Sequence, residues 1–288
     1  MIQDDNFQKI ISLLKESTPL TLGSVGSTKK RGESNAMKKH VEVDYTEEMV
    51  DYWKERSVSY SQQNRAQIEG FKREIWEGLI LSNAPQKKKL RILDIGTGPG
   101  FFAIILAQKG HQVTAVDISA DMLEQAKENA RHYGADVQFQ LLNAQNLPFS
   151  DNAFDLVISR DVTWTLQEPE EMLQEWNRVT KPGGRVLYFD ANWYHYLYNE
   201  DFLRAHEENV RICQEQGGFS YTKANVMEEI ALGLPMSSRL RPAWDLQELP
   251  RLGFRKVTAL ENLNPWIYTE QECMQYRSKP EFLVIAEK

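Results

Sequence analysis

The chain has 288 residues, with 34 Lys and Arg against 41 Asp and Glu, a net charge of −7. That acidic balance argues against a nucleic-acid partner, because such binders present a basic face. Hydrophobic residues make up 41%, ordinary for a soluble globule with a sizeable core, and no apolar run approaches the roughly 20 residues a membrane span needs.

The two cysteines, Cys213 and Cys273, lie far apart and form no disulfide framework. The five histidines show no ligand spacing, so no metal is expected. A reducing cytoplasm is the natural setting. The short basic clusters Lys29-Lys30-Arg31 and Lys87-Lys88-Lys89 read as solvated loops.

Residues 1–36 read as an expression leader or flexible extension. Ser34-Asn35-Ala36-Met37 resembles a cloning scar before an initiator methionine, behind a Gly/Ser/Thr-rich stretch at 21–28. Residues 7–16 allow a short amphipathic helix. From Met37 the pattern turns helical. One helix is predicted over Tyr45–Trp53 with Thr46 as its cap. A second is predicted from about Gln63 to Leu81, with Ile68, Phe71, Ile75, Trp76 and Leu79 at helical spacing.

The run Leu90-Arg91-Ile92-Leu93-Asp94-Ile95-Gly96-Thr97-Gly98-Pro99-Gly100 reads as a buried strand that ends in an acid and enters a glycine turn. Glycines let the backbone turn tightly and approach a ligand with no Cβ in the way. The helix that follows from Phe101 points its first N–H groups back at that site. The dinucleotide pattern G-x-G-x-x-G would need a third glycine where Phe101 stands. An acid at the strand end also suits a cationic ligand better than a pyrophosphate.

The next strand, His111–Asp117, again ends in an acid. Asp117 lies 21 residues beyond Gly96, the distance at which an acid accepts from ribose hydroxyls. Ser119 is the predicted cap of the helix that follows. Further strands are predicted at Val137–Leu142, Phe154–Arg160 and Arg185–Asp190, the third of them led in by Pro182-Gly183. Leu147-Pro148-Phe149 follows a strand that ends near Asn143-Ala144.

Taken in register from about 90 to 190, these five segments resemble the class I S-adenosylmethionine-dependent methyltransferases, in the style of the ubiquinone/menaquinone-biosynthesis group. The resemblance implies an α/β fold: a doubly wound, mostly parallel seven-stranded Rossmann-like sheet. It also implies an N-terminal helical lid and a helical insertion after the fifth strand. The expected division is a leader (1–36), the lid (37–85), the S-adenosylmethionine-binding core (86–192), a substrate-covering insertion (193–243) and the closing part of the sheet (244–288). Within the insertion, helices are predicted near 200–216 and 222–232.

The resemblance implies that S-adenosylmethionine binds at Asp94, Gly96, Thr97, Gly98, Gly100, Asp117, Ile118, Met122, Asn143, Ala144 and Arg160, and that S-adenosylhomocysteine is the product. Asn143 stands where the family has an Asp, and its amide oxygen still accepts from an adenine amino group. Two polar–aromatic clusters, 160–165 and 190–196, end strands and are expected to face the methyl group. Asp161 and His195 are the candidate proton acceptors. Trp164, Asn192, Trp193, Tyr194 and, from the lid, Tyr60 are the candidate acceptor-binding residues.

The expected activity is methyl transfer to an O or N atom of a small molecule by a monomer or homodimer, with no nucleic-acid or membrane partner. Two alternatives stay open at this point. One is a macromolecular acceptor, tRNA or protein; the other is a cofactor-binding module without catalysis. An NAD-linked reductase is disfavoured by Phe101.

Overall fold

The computed structural model describes residues 44–215 and 224–288. The expected leader, its short helix and the first residues of the predicted 222–232 helix lie outside the described residues. The described chain runs α1 (Thr46–Glu69), α2 (Lys72–Asn83), β1 (Arg91–Ile95), α3 (Phe101–Gln108), β2 (Gln112–Asp117), α4 (Ala120–His132), β3 (Val137–Leu141), β4 (Phe154–Arg160), α5 (Pro169–Val179) and β5 (Thr180–Ala191). It continues through α6 (Glu200–Glu215), α7 (Ala224–Gly233), α8 (Pro235–Ser238), α9 (Ala243–Glu248), β6 (Lys256–Leu260), α10 (Asn264–Ile267), α11 (Glu270–Gln275) and β7 (Glu281–Glu287).

The strands form a seven-stranded sheet in the order β3-β2-β1-β4-β5-β7-β6. The first five are parallel, and β7 runs antiparallel between β5 and β6. The parallel strands are near-continuous apolar runs because both faces are covered. Ile92, Ile158, Leu187 and Phe189 face α2 and α3 through Trp76, Leu79, Phe101 and Phe102. Leu93, Val157, Val186 and Tyr188 face α5 through Leu173, Trp176 and Val179. The order reverses between β1 and β4, and in open α/β sheets a ligand binds beyond the carboxyl ends of the strands at such a switch point.

Two helix boundaries differ from the sequence expectation. The first two predicted helices divide at Gly70 rather than between Trp53 and Gln63: α1 runs unbroken from Thr46 to Glu69. Gly70 is in extended conformation and ends the helix there; a Cβ at Gly70 would lie 2.8 Å from the Ala66 carbonyl oxygen. Thr46 is inside the first turn and makes no side-chain cap; Tyr45 holds the N-cap position, and Asp44 Oδ1 accepts from the Thr46 N–H at 2.9 Å. Ser119 does cap α4, its hydroxyl accepting from the Met122 N–H at 3.3 Å.

Helix α1 lies along α4. Asn129 Nδ2 donates to Ser61 Oγ (3.1 Å) and to the Pro99 carbonyl (2.9 Å), tying α1, α4 and the glycine turn together. That tie holds Tyr60, on α1, above the turn: a Cβ built on Gly98 would touch its ring at 3.6 Å.

Candidate active site

Beyond β1 and β4 lie two adjoining clefts. The first, of about 970 Å³ including its mouth, is lined by Gly96, Gly98, Asp117, Ile118, Met122, Leu142, Asn143, Ala144, Arg160 and Asp161. The second, of about 2010 Å³ on the same basis, is lined by Tyr60, Arg160, Asp161, Trp164, Trp193, Tyr194, Tyr268, Tyr276 and Glu281. Trp53, Tyr60, Arg160 and Asp161 belong to both walls.

The turn after β1 is built for close approach. Gly96 and Gly98 have φ of +66° and +53°, a region that costs most residues strain. The Gly96 and Thr97 N–H groups both donate to the Val116 carbonyl, at 2.9 and 3.0 Å, which fastens the turn to β2. Asp94 is 2% exposed and accepts from the Thr97 hydroxyl at 2.7 Å. Burial pushes its carboxyl up to about 7 against the hydrogen bond from Thr97 and the charge of Arg160. Asp94, Thr97, Gly98 and Arg160 surround a small recess beneath the turn. Gly100, at φ +91°, starts α3 with Ala126 and Ile104 close by, so its role is packing of α3 on α4.

Asp117 stands at the rim of the first cleft. Its Oδ2 accepts from the Gly98 N–H at 2.8 Å and its Oδ1 from the Ser119 N–H at 2.9 Å. Each carboxylate oxygen has a second lone-pair direction, so both can take a further donor. Burial raises this carboxyl as well, opposed by those backbone donors. Ile118, Met122 and Leu142 supply an apolar slot beside it. Asn143 is exposed, with Oδ1 accepting from the Gln145 N–H at 3.0 Å.

Arg160 ends β4 with its guanidinium carbon 5.3, 5.0 and 5.1 Å from the rings of Trp76, Phe101 and Phe102. It donates to Gln67 Oε1 at 3.0 Å and lies 3.8 Å from Asp161. Asp161 has φ +57°, and its Oδ1 is buried without a hydrogen-bond partner. Burial, then repulsion from Glu281, raises its carboxyl well above the usual range.

Asp190, at the end of β5, organises the aromatic wall. Its Oδ1 accepts from Trp193 Nε1 at 2.8 Å, and its Oδ2 accepts from the Trp164 N–H at 2.8 Å and from the Thr163 hydroxyl. Arg241 reaches Asp190 at 3.2 Å and holds Asp245 with two bonds of 2.9 and 2.7 Å.

Besides Gly100, two candidates from the sequence stand apart from the clefts. His195 is buried against Phe202, its Nδ1 3.1 Å from the Ser237 carbonyl, and among the described residues it lines neither cleft. The chain turns into a short 3₁₀ helix after Asn192, which carries the imidazole away from the strand ends. Asn192 bridges to the backbone of Arg241, donating to its carbonyl at 2.7 Å and accepting from its N–H at 3.0 Å. Glu281, Tyr268 and Tyr276 line the second cleft and were not foreseen; nothing local in their sequence marks them.

Residues 93–188 match a family model described as a methyltransferase domain. The chain is 33% identical over 118 residues to a ubiquinone/menaquinone biosynthesis C-methyltransferase of Desulfotalea psychrophila, covering 40% of this chain and 47% of that protein. It is 40% identical over 109 residues to a malonyl-[acyl-carrier protein] O-methyltransferase of Erwinia billingiae, covering 38% of this chain and 42% of that one. The match thus spans less than half the length of either relative. Among solved structures, the Haloferax volcanii complex between the Trm112 methyltransferase activator and a putative methyltransferase aligns with a TM-score of 0.55 at 19% identity, over 82% of this chain and 96% of that chain. A Haemonchus contortus phosphoethanolamine N-methyltransferase solved with S-adenosyl-L-methionine aligns at 0.52 and 20% identity, over 79% of this chain and 52% of that one. At these identities the structural matches establish the fold.

Proposed function

We propose that the chain, whose residues 93–188 match a methyltransferase-domain model, is a class I S-adenosylmethionine-dependent methyltransferase that transfers a methyl group from S-adenosylmethionine to an N or O atom of a small-molecule acceptor. The observation that carries this reading is Asp161, a half-buried carboxylate with one buried, unpartnered oxygen, in the wall shared by the cleft beside the glycine turn and a second, aromatic cleft.

The residues of the first cleft suit the cofactor. Asp117 offers free lone pairs to two ribose hydroxyls, the slot of Ile118, Met122 and Leu142 accepts a flat base, and Asp94 in its recess offers a carboxylate to an ammonium group. When bound, S-adenosylmethionine supplies a methyl group on a positively charged sulfur. The chain then has to align the acceptor in line with that group, exclude water and take up a proton. Helix α1 with Trp53 and Tyr60 closes the site as the lid, and the insertion carrying Trp193, Tyr194 and Met227 closes the acceptor cleft. The aromatic lining of this second cleft suits a small acceptor.

Calorimetric titration with S-adenosylhomocysteine and, separately, with NAD(H) tests the reading. Binding of the former alone is expected; binding of NAD(H) alone would overturn it. Asp117→Ala is expected to weaken S-adenosylhomocysteine about ten- to a hundredfold, the value of hydrogen bonds to a charged group. An unchanged affinity would remove Asp117 from the ribose role.

Asp94 makes the binding pH-dependent. With its carboxyl pushed to about 7, it is largely protonated below that pH and cannot attract an ammonium group. Affinity is therefore expected to rise with pH between 6 and 8, by at most about tenfold per unit. The fold responds with the opposite sign: a raised carboxyl contributes stability at low pH that is lost as pH rises through 7. Asp94→Asn is expected to flatten the binding profile, and a profile as steep as that of the unaltered protein would exclude Asp94 as its source.

A further inference from the structure

Resting on the methyltransferase reading, we propose that the acceptor is a cationic amine, received by the carboxylates of Asp161 and Glu281 and enclosed by the aromatic faces of the second cleft. Glu281 opens β7 and is 2% exposed. Its Oε1 accepts from the Tyr268 hydroxyl, while Oε2 is buried with no partner. Asp161 Oδ1 is buried with no partner as well. Both residues line the second cleft. A buried carboxylate oxygen without a donor is costly. Two of them in one cleft describe the ligand that would satisfy both: a group with more than one N–H and a positive charge. A hydroxyl brings one donor and no charge.

The walls agree. Trp53, Tyr60, Trp164, Trp193, Tyr194 and Tyr276 line the cleft. Asp190 holds the backbone of Trp164 and the indole N–H of Trp193, so these two rings are pre-positioned. Aromatic faces attract cations, most strongly where water is excluded.

Arg56, Lys72, Arg160 and Lys279 also line the cleft, each with partners of its own; Arg160 meets Asp161 only at Oδ2, 3.8 Å away, which leaves Asp161 Oδ1 and Glu281 Oε2 unmet. On β4, Arg160 is stacked over three rings and bonded to Gln67. On α2, Lys72 pairs with Glu272 of α11 at 2.6 Å. On α1, Arg56 donates to the Tyr52 hydroxyl at 3.1 Å. Lys279 lies over the rings of Tyr194 and Tyr196, and burial pushes it down to about 8. Asp190 of β5 is met by Arg241. The phenols of Tyr60, Tyr268 and Tyr276 are raised by burial and stay neutral near pH 7. Asp161 and Glu281 therefore form the acidic pole of the cleft. Burial raises both, Glu281 to about 7, so near neutrality the pair retains a proton that an arriving ammonium group displaces.

The same pair completes the reaction. An ammonium nitrogen has no lone pair to attack with. It first passes an N–H proton to the Asp161/Glu281 carboxylates; the freed lone pair then forms the N–C bond to the methyl carbon as the C–S bond breaks with its electrons left on sulfur. The proton leaves through the carboxylates to water.

The test uses three probes on one phenyl scaffold, added to the protein with S-adenosylhomocysteine: benzylammonium, benzyl alcohol and benzoate. Benzylammonium is expected to bind about tenfold or more tightly than benzyl alcohol, with benzoate weaker than either. Calorimetry in buffers of different ionisation enthalpy near pH 7 is expected to register proton release on benzylammonium binding. Glu281→Gln and Asp161→Asn are each expected to weaken benzylammonium about tenfold and to abolish part of that release. Asn tolerates the positive φ of position 161, and melting temperatures check that both variants fold. Benzyl alcohol binding as tightly as benzylammonium, a preference for benzoate, or folded variants with unchanged amine affinity would overturn the proposal. The comparison on the unaltered protein decides even where a variant unfolds. Failure of S-adenosylhomocysteine to bind would instead overturn the methyltransferase reading, and the acceptor assignment with it.

Discussion

Replacing Arg241 by Ala is expected to lower the stability of the fold by about 3–5 kcal/mol, the cost of leaving buried carboxylates without their counter-ion. For a chain of this size that is a fall of about 10 °C in melting temperature. The side chain of Arg241 is 2% exposed, and those of its partners Asp190 and Asp245 are 0% exposed. Its guanidinium makes a fork with Asp245, reaches Asp190 and donates to Thr163 Oγ1 at 2.8 Å. Tyr188 closes the group by donating to Asp245 Oδ1 at 2.6 Å. Removing the cation strands two carboxylates in a place that water does not reach. Arg241→Lys keeps the charge but not the fork, and is expected to recover part of the loss. Thermal unfolding of the two variants measures this; an Ala variant within about 1 kcal/mol of the parent would mean that the site relaxes or hydrates. The acceptor cleft would register the change as well, because Asp190 fixes Trp164 and Trp193.

Gly96→Ala is expected to abolish S-adenosylhomocysteine binding. A Cβ at this position would lie 2.2 Å from Val162 Cγ2 and 3.3 Å from Val162 Cβ. Real Cβ atoms do not approach that closely, and the residue sits at φ +66°, which adds roughly 1–2 kcal/mol for any side chain. Val162 follows Asp161 at the end of β4, so relief of the clash moves the turn away from the residues shared by the two clefts. The double variant Gly96→Ala/Val162→Ala removes the offending methyl and is expected to restore part of the binding. If the double variant binds no better than the single one, the backbone strain at position 96 accounts for the defect; if Gly96→Ala binds normally, the turn does not carry the cofactor.

The contrast between Asp94 and Glu281 shows how much of the site was legible in the chain. Asp94, Gly96, Gly98 and Asp117 sit at strand ends and in the turns beside them, where a few consecutive residues set the backbone path. Their spacing alone therefore places them at one edge of the sheet. Glu281 faces the same site from 120 residues beyond Asp161. It arrives there because β7 pairs antiparallel with β5 and sets Glu281 opposite Ala191. No local pattern distinguishes it from any acid at the start of a strand. The misplacement of His195 has the same origin. Proximity in sequence to the end of β5 suggested the site, but a 3₁₀ turn directs its imidazole towards Phe202 and Ser237.

The sequence by itself determined the alternation of apolar strands with helices and the glycine turn with its two strand-end acids. All of these follow from short-range rules: strand periodicity, glycine freedom and helix capping. Tertiary structure alone decided which charges were neutralised and which were left open. Arg241 crosses from the insertion to pair with Asp190 and Asp245, while Asp161 and Glu281 converge with an oxygen each unpartnered. Whether a carboxylate is a strut or a binding group depends on who meets it in the folded state. That depends on long-range strand pairing and on burial, and neither is written in any single stretch of the chain.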